Sequence, residues 1–212
     1  KIIVMDEADE MLSKGFKNQI YDIFQFLPKT MQVALFSATM PYDVLTLTEK
    51  FMKEPIKIIM RPEELTLDCI QQYYIAIGND QQKYETLKDL FSMLEVKQSI
   101  IYVNTISRVN ELYEAMSKED YPVCYIHSSM DKSQREEALK QFRLGQYRVL
   151  ISSGITARGI DIQQVSIVIN FDITRDINTY LHAIGRSGRY GRKGLAINFV
   201  TKFDIDQMKR IE

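Results

Sequence analysis

The sequence predicts an α/β fold of parallel sheets covered by helices. Short apolar runs recur along the whole chain, stretches with apolar residues at helical spacing separate them, and the first run ends in a cluster of acids. Strand–helix alternation of this kind builds βαβ units, whose strands run parallel. A parallel sheet has one carboxyl edge, and ligands bind outside that edge.

Ile2–Met5 is a continuous apolar run and reads as a strand buried on both faces. From Glu10 to Phe26, Met11, Phe16, Ile20, Ile23 and Phe24 mark one helical face, and Pro28 ends it. Gln32–Phe36 reads as a second strand, and Pro41 opens a helix reaching about Phe51. Ile56–Met60 reads as a third strand. The stretch 61–68 holds Pro62 and two Glu, and is either a surface loop or a linker; the linker is preferred because a new strand-first series follows. That series has strands over 70–77, 99–103, 123–127, 148–151, 166–170 and 195–200. Helices fill 81–94, 106–118, 131–143 and 176–184, with a last one from about Phe203.

The 212 residues are 45% hydrophobic, enough for a sizeable core, and the net charge is −1. Residues 1–68 carry 8 basic and 11 acidic residues, and residues 69–212 carry 19 and 17. Neither half is a polybasic block, so nucleic-acid contact would come from local patches. Cys69 and Cys124 are isolated, which fits free thiols better than a disulfide scaffold or a zinc site. No transmembrane run or signal peptide is visible, and the N-terminus opens directly on a strand, as if the chain had been cut.

The chemistry gathers at predicted strand ends. Asp6 and Glu7 follow the first strand as in a Walker B element, where the Asp helps hold Mg²⁺ on nucleotide phosphates and the Glu activates water. The plainer reading is an acidic first helical turn. Ser37 and Thr39 end the second strand on the same sheet edge, where two short hydroxyls can hydrogen-bond a carboxylate such as Asp9; helix capping is the alternative. The tract Tyr180–Gly194 places Arg186 and Arg189 three residues apart among glycines, so both guanidinium forks can face one anion. A basic RNA patch remains open there. Asn104 and Thr105 end a strand at a helix start, where backbone N–H groups can hold phosphate or Thr105 can serve as an N-cap.

Asp6-Glu7-Ala8-Asp9, Ser37-Ala38-Thr39, Tyr102-Val103-Asn104-Thr105, Ala157-Arg158-Gly159-Ile160-Asp161 and the His182–Arg189 tract occur in the order of motifs II, III, IV, V and VI of the DEAD-box RNA helicases, which the chain resembles throughout. Gly159–Ser166 and Gly191–Thr201 are most similar to the initiation-factor-four-A branch. The resemblance implies RecA-like parallel sheets sandwiched by helices. Residues 1–60 would be the back part of a first domain, 61–68 a linker, and 69–212 nearly all of a second.

The resemblance also implies roles. Asp6 would hold Mg²⁺, through water, on ATP, with Glu7 as the catalytic carboxylate. Arg186 and Arg189 would act as fingers on the γ-phosphate across the domain cleft. Gly159 and Asp161 would serve the nucleotide, Asp161 accepting from a ribose hydroxyl. Asp9, Ser37, Thr39 and His182 would couple the ATP and RNA sites. Asn104, Thr105, Arg135, Ser153 and Arg158 would meet RNA, mostly through its backbone. Scaffold proteins of the initiation or exon-junction type are implied partners, in the cytoplasm or nucleus, with no membrane.

The chain departs from the family pattern in places. Ala183 stands where the family has an arginine directly after the His, Gly154 where it commonly has Asp, and Lys132 where it has Gln. His127-Ser128-Ser129-Met130 replaces His-Gly-Asp-Met, and no Gly-Lys-Thr phosphate loop occurs. The expectation is therefore part of an ATP-dependent RNA helicase. The alternative is an ATP-independent RNA- or protein-binding module descended from one.

Overall fold

The computed structural model describes residues 1–12, 15–28, 30–60, 69–94, 98–154, 165–174, 176–188 and 193–211. The chain divides into two compact units, Lys1–Leu65 and Thr66–Glu212. The expected linker, 61–68, lies outside the described residues.

In the first unit, β1 (Ile2–Met5) and β2 (Gln32–Leu35) pair in parallel, with Ile2 opposite Gln32 and Met5 opposite Leu35. Helices α1 (Ala8–Met11), α2 (Lys17–Phe26) and α3 (Tyr42–Thr48) complete it. Its core is Met5, Leu12, Ile20 and Val44, with the Phe24 and Phe51 rings packed 4.6 Å apart.

Three expectations are corrected here. First, β1 is not buried on both faces. Ile2 and Val4 are exposed and Met5 is buried, the period-two alternation of a strand packed on one side. Second, the single helix over Glu10–Phe26 is two helices with a turn at Gly15 and Phe16; glycine is about 1 kcal/mol worse than alanine inside a helix. Third, Ile56–Met60 pairs with no strand among the described residues, and Ile56 and Ile58 are exposed. An apolar run becomes a strand only where a neighbour accepts its backbone hydrogen bonds.

The second unit holds β3 (Ile70–Ala76), β4 (Ser99–Val103), β5 (Val123–Ile126), β6 (Val149–Ser153), β7 (Ile167–Asn170) and β8 (Gly194–Val200). They form one parallel sheet in the order β3-β8-β7-β4-β6-β5. The helices are α4 (Gln82–Met93), α5 (Ile106–Lys118), α6 (Lys132–Arg143), α7 (Ile177–Ile184) and α8 (Ile205–Ile211).

Strand alternation divides the core in two. Ile100, Leu150, Val168 and Ala196 face one side, with Phe142 of α6 and Tyr180 and Ile184 of α7. Their chain neighbours Ile101, Ile151, Ile169 and Ile197 face the other, with Leu87 of α4 and Val109, Leu112 and Met116 of α5. Strands β4 to β8 are thus covered on both faces, which is why they read as largely apolar runs, whereas the edge strand β3 is mostly exposed, with Tyr73 and Tyr74 open to solvent.

One polar chain runs through the first layer. Asn170 Nδ2 donates to Asn198 Oδ1 at 2.7 Å, and Asn198 Nδ2 donates to the Tyr73 carbonyl at 3.0 Å. The same Asn198 amide lies 3.1 Å from the Tyr180 hydroxyl, which donates to Gln72 Oε1 at 2.7 Å. These bonds tie α7 to the β7–β8–β3 side of the sheet. No described helix is long and apolar enough to cross a membrane.

Candidate functional site

In the first unit the acids sit at the carboxyl edge, as the strand reading requires. Glu7 adopts a left-handed conformation, φ 51° and ψ 45°, rare for a residue with a side chain. This bend turns β1 abruptly into α1 and leaves Asp6 exposed at the strand end. The Glu7 N–H donates to Asp6 Oδ1 at 2.9 Å. Backbone bonds from Phe36 N to Met5 O (2.8 Å) and from Ala8 N to Phe36 O (3.0 Å) carry the pairing past the strand ends.

Asp9 is buried, and its two oxygens take separate donors: Ser37 Oγ at 2.7 Å and Thr39 Oγ1 at 2.7 Å. This is the hydroxyl–carboxylate arrangement expected from sequence. It joins the ends of two parallel strands through charge-assisted hydrogen bonds.

In the second unit the edge is formed by the ends of β4, β6 and β7 and by α7. Thr105 caps α5, its Oγ1 accepting from Arg108 N at 3.2 Å. The Asn104 side chain turns inward and donates to the Ile173 carbonyl at 3.0 Å. Ser153, the last residue of β6, is buried. Arg135 is half-buried on the first turns of α6, where the Asp131 N–H donates to Gln134 Oε1 at 3.1 Å. His127 is buried at the end of β5, stacked on Tyr125.

Asp176 caps α7 by accepting from Thr179 N and Thr179 Oγ1, both at 2.7 Å. Along α7, His182 and Ala183 are buried, and Arg186 just past the helix is 7% exposed, its Nε donating to the His182 carbonyl at 3.1 Å. Two glycines shape the turn that follows. Gly188 has φ 71°, and a Cβ on Gly194 would come within 2.5 Å of both Gly188 N and Ser187 Oγ. Arg158, Gly159, Asp161 and Arg189 lie outside the described residues.

Two of the departures in this unit meet. Gly154 and Ala183 line one cavity of about 10 Å³, with Asn104, Asp172 and Thr179 also in its wall. That is space for a single water.

Sequence reasoning missed a charge cluster on this edge. Lys83 is buried and reaches Asp172 at 2.8 Å and Asp80 at 3.2 Å; Arg108 meets Asp80 at 2.5 Å. Burial raises the Asp80 carboxyl, but Arg108 and Lys83 outweigh it and hold it below the usual range. Burial lowers Arg108, and Asp80 and Asp172 more than restore it. The signal was present, because Asp172 stands two residues beyond β7 much as Asp6 follows β1.

With this geometry in place, comparison with known proteins is direct. The sequence profile described as "Helicase conserved C-terminal domain" matches residues 82–191, and that described as "DEAD/DEAH box helicase" matches residues 1–47. The chain belongs to the DEAD-box helicase family. It is 51% identical over all 212 residues to the ATP-dependent RNA helicase eIF4A of Neurospora crassa, covering 53% of that protein. It spans about half the length of the curated relatives it matches.

Among solved DEAD-box structures, Saccharomyces cerevisiae Dbp5 bound to RNA and ADP BeF3 is 36% identical over the whole chain, with a TM-score of 0.91 and 56% of that chain covered. The isolated C-terminal domain of Dbp5 matches 69% of this chain and 85% of its own, at 37% identity and a TM-score of 0.65. The parallel, helix-flanked sheets are those of DEAD-box RecA-like domains.

Proposed function

We propose that these residues serve an ATP-dependent RNA helicase, an RNA-stimulated ATPase of translation initiation or related RNA metabolism. The observation that carries the reading is Asp9, whose two oxygens are held at 2.7 Å by Ser37 and Thr39 directly beside Asp6 and Glu7. A capping role would spend the hydroxyls on backbone N–H groups. Here they fix a buried carboxylate that joins the Asp6–Glu7 turn to the end of β2.

The donor set suits Mg²⁺ with ATP: Asp6 offers an exposed, hard carboxylate at a carboxyl strand edge, the ligand type this cation prefers. Bound Mg²⁺ would neutralise charge developing on the phosphates. Asp6 would hold it through water, and Glu7, held at its unusual backbone angle, would orient or deprotonate the attacking water. Arg186 and Arg189 are proposed to stabilise the transferring phosphate, and Gly159 and Asp161 to serve the nucleotide. Asp9, Ser37, Thr39 and His182 would relay between the two ligands. RNA would meet Asn104, Thr105, Arg135, Ser153 and Arg158 through phosphate and sugar, hence with little sequence preference. Partners of the initiation or exon-junction scaffold type, and a cytoplasmic or nuclear place of work, follow from the same reading.

The test uses a protein carrying these residues together with a phosphate loop. Glu7→Gln should preserve nucleotide binding and abolish RNA-stimulated phosphate release. Unchanged turnover would refute the assignment. The 212 residues alone, lacking that loop, should bind single-stranded RNA weakly and release no phosphate.

A further inference from the structure

The cluster around Asp172 is not a second binding patch. Its members are Lys83, Arg108, Asp80 and Asp172, two cations and two anions, so it has no net charge to draw a polyanion. Lys83 is 3% exposed and cannot reach a ligand at the surface. Its position is what matters, because three turns of the carboxyl edge converge on one carboxylate.

Asp172 divides its oxygens. Oδ1 faces Lys83 Nζ at 2.8 Å and Arg108 Nη2 at 3.6 Å, while Oδ2 accepts the Asn104 N–H at 3.1 Å. The turn is fastened a second time by Asn104 Nδ2 on the Ile173 carbonyl. A third fastening comes from the Tyr102 carbonyl, which accepts from Phe171 N at 3.0 Å and Asp172 N at 3.3 Å. Both cations also lie over the Phe171 ring, Lys83 at 5.5 Å and Arg108 at 5.2 Å from its centre. Arg108 belongs to the first turn of the helix that Thr105 caps. The start of α4, the β4–α5 turn and the β7–α7 turn are thereby one block.

We propose that Asp172, clamped by Lys83 and Arg108, is a positioning residue that sets the Asn104–Thr105 turn in the shape that receives an RNA phosphate and ties that turn to the segment leading into α7. The inference rests on the RNA-binding reading above and names the residues on which that contact depends. Asn104 and Thr105 touch the ligand; Asp172 and Lys83 act through them. A buried lysine with its carboxylate is a costly device unless geometry is needed, since an apolar pair of similar volume often serves stability as well.

The experiment measures the affinity of the 212-residue chain for a single-stranded oligouridine by fluorescence anisotropy, across salt concentrations and well below the melting temperature. Lys83→Met, Lys83→Arg and Asp172→Asn are compared with the unaltered chain, and melting temperatures are recorded in parallel. Lys83→Met and Asp172→Asn should each weaken binding about tenfold, the scale of loss when a contact turn is misplaced. The salt slope should not change, because no phosphate contact is removed. Lys83→Arg should restore affinity to within about threefold, the guanidinium keeping the charge on Asp172.

A fall of about one unit in salt slope for Lys83→Met would mean direct phosphate contact and overturn the proposal. Lower melting temperatures with unchanged affinity would show mere stabilisation and also overturn it. If Lys83→Met does not fold, Asp172→Asn, which keeps the side-chain shape, decides alone. An unaltered chain that binds no RNA would refute the parent reading and this inference with it; an unaltered chain that binds while both variants bind equally refutes only the inference.

Discussion

Replacing Ala183 with arginine, the residue the family pattern carries there, should damage this chain unless Gly154 is changed with it. Ala183 is 2% exposed and belongs to the same core layer as Tyr180, Ile184, Val168 and Ala196. The adjoining cavity of about 10 Å³ is far too small for a guanidinium. Overpacking costs about 1–3 kcal/mol. The buried charge adds to that, offset in part by Asp172 in the same cavity wall. A net loss of about 3 kcal/mol follows. In a unit of 147 residues this lowers the melting temperature by about 6–12 °C, at about 2–4 °C per kcal/mol.

Gly154 can take a side chain: among the described residues a Cβ there would meet only Thr179 Cγ2, at an ordinary 3.8 Å. Gly154→Asp combined with Ala183→Arg would place a carboxylate and a guanidinium across one cavity, and should recover about 1–3 kcal/mol relative to the sum of the single changes. Thermal melts followed by far-UV circular dichroism, on the chain and the three variants, measure all four corners of the cycle. Ala183→Arg melting within about 2 °C of the parent, or strict additivity in the double variant, would refute the reasoning.

Other outcomes follow from single contacts. Thr39→Ala should cost about 1.5–3 kcal/mol in urea unfolding, and Ser37→Ala clearly less, because Ser37 is half-exposed and water can replace its hydroxyl on Asp9. Equal costs would show that burial does not set the strength of these bonds. An Ellman titration should find one reactive thiol in the native chain, the exposed Cys69, and two in denaturant, since Cys124 is buried. Burial pushes the Cys124 thiol from 9.0 up to about 12. Its stabilising contribution is therefore complete below pH 9 and is lost as pH rises towards 12, at about 1.4 kcal/mol per unit. Cys124→Ala should flatten the alkaline part of the stability profile.

How much of this was legible depended on whether a feature was local. Strands β4 to β8 of the second unit could be read because each is a largely apolar run between polar turns, and both faces of each strand demand apolar residues; β3, at the sheet edge, is mostly exposed. The Asp9–Ser37–Thr39 contact could be read because parallel strands bring successive carboxyl ends to one edge. Ile2–Met5 has the same composition as a doubly covered strand, yet composition does not say whether a layer lies on each side. Gly15 was passed over because the apolar spacing continued across it. Lys83 was hidden for a different reason. On a helix a lysine reads as a solvated face, and its partner, Asp172, is 89 residues away. Two strand ends, a helix start and the sheet order must all be known before that pair becomes visible.

The sheet order also bears on how the chain is made. At the sheet edge β3 has β8 as its neighbour, and Ile70 lies opposite Gly194, 124 residues later. At a synthesis rate of about 5–20 residues per second, β3 leaves the ribosome roughly 6–25 s before its partner exists. Through that interval its backbone donors and acceptors, with Tyr73 and Tyr74 beside them, stand open to any other extended chain. A message broken before the codon for Gly194 would leave them so permanently. The second unit is thus sealed by the last of its described strands to be translated, and it is most exposed to mispairing just before β8 emerges.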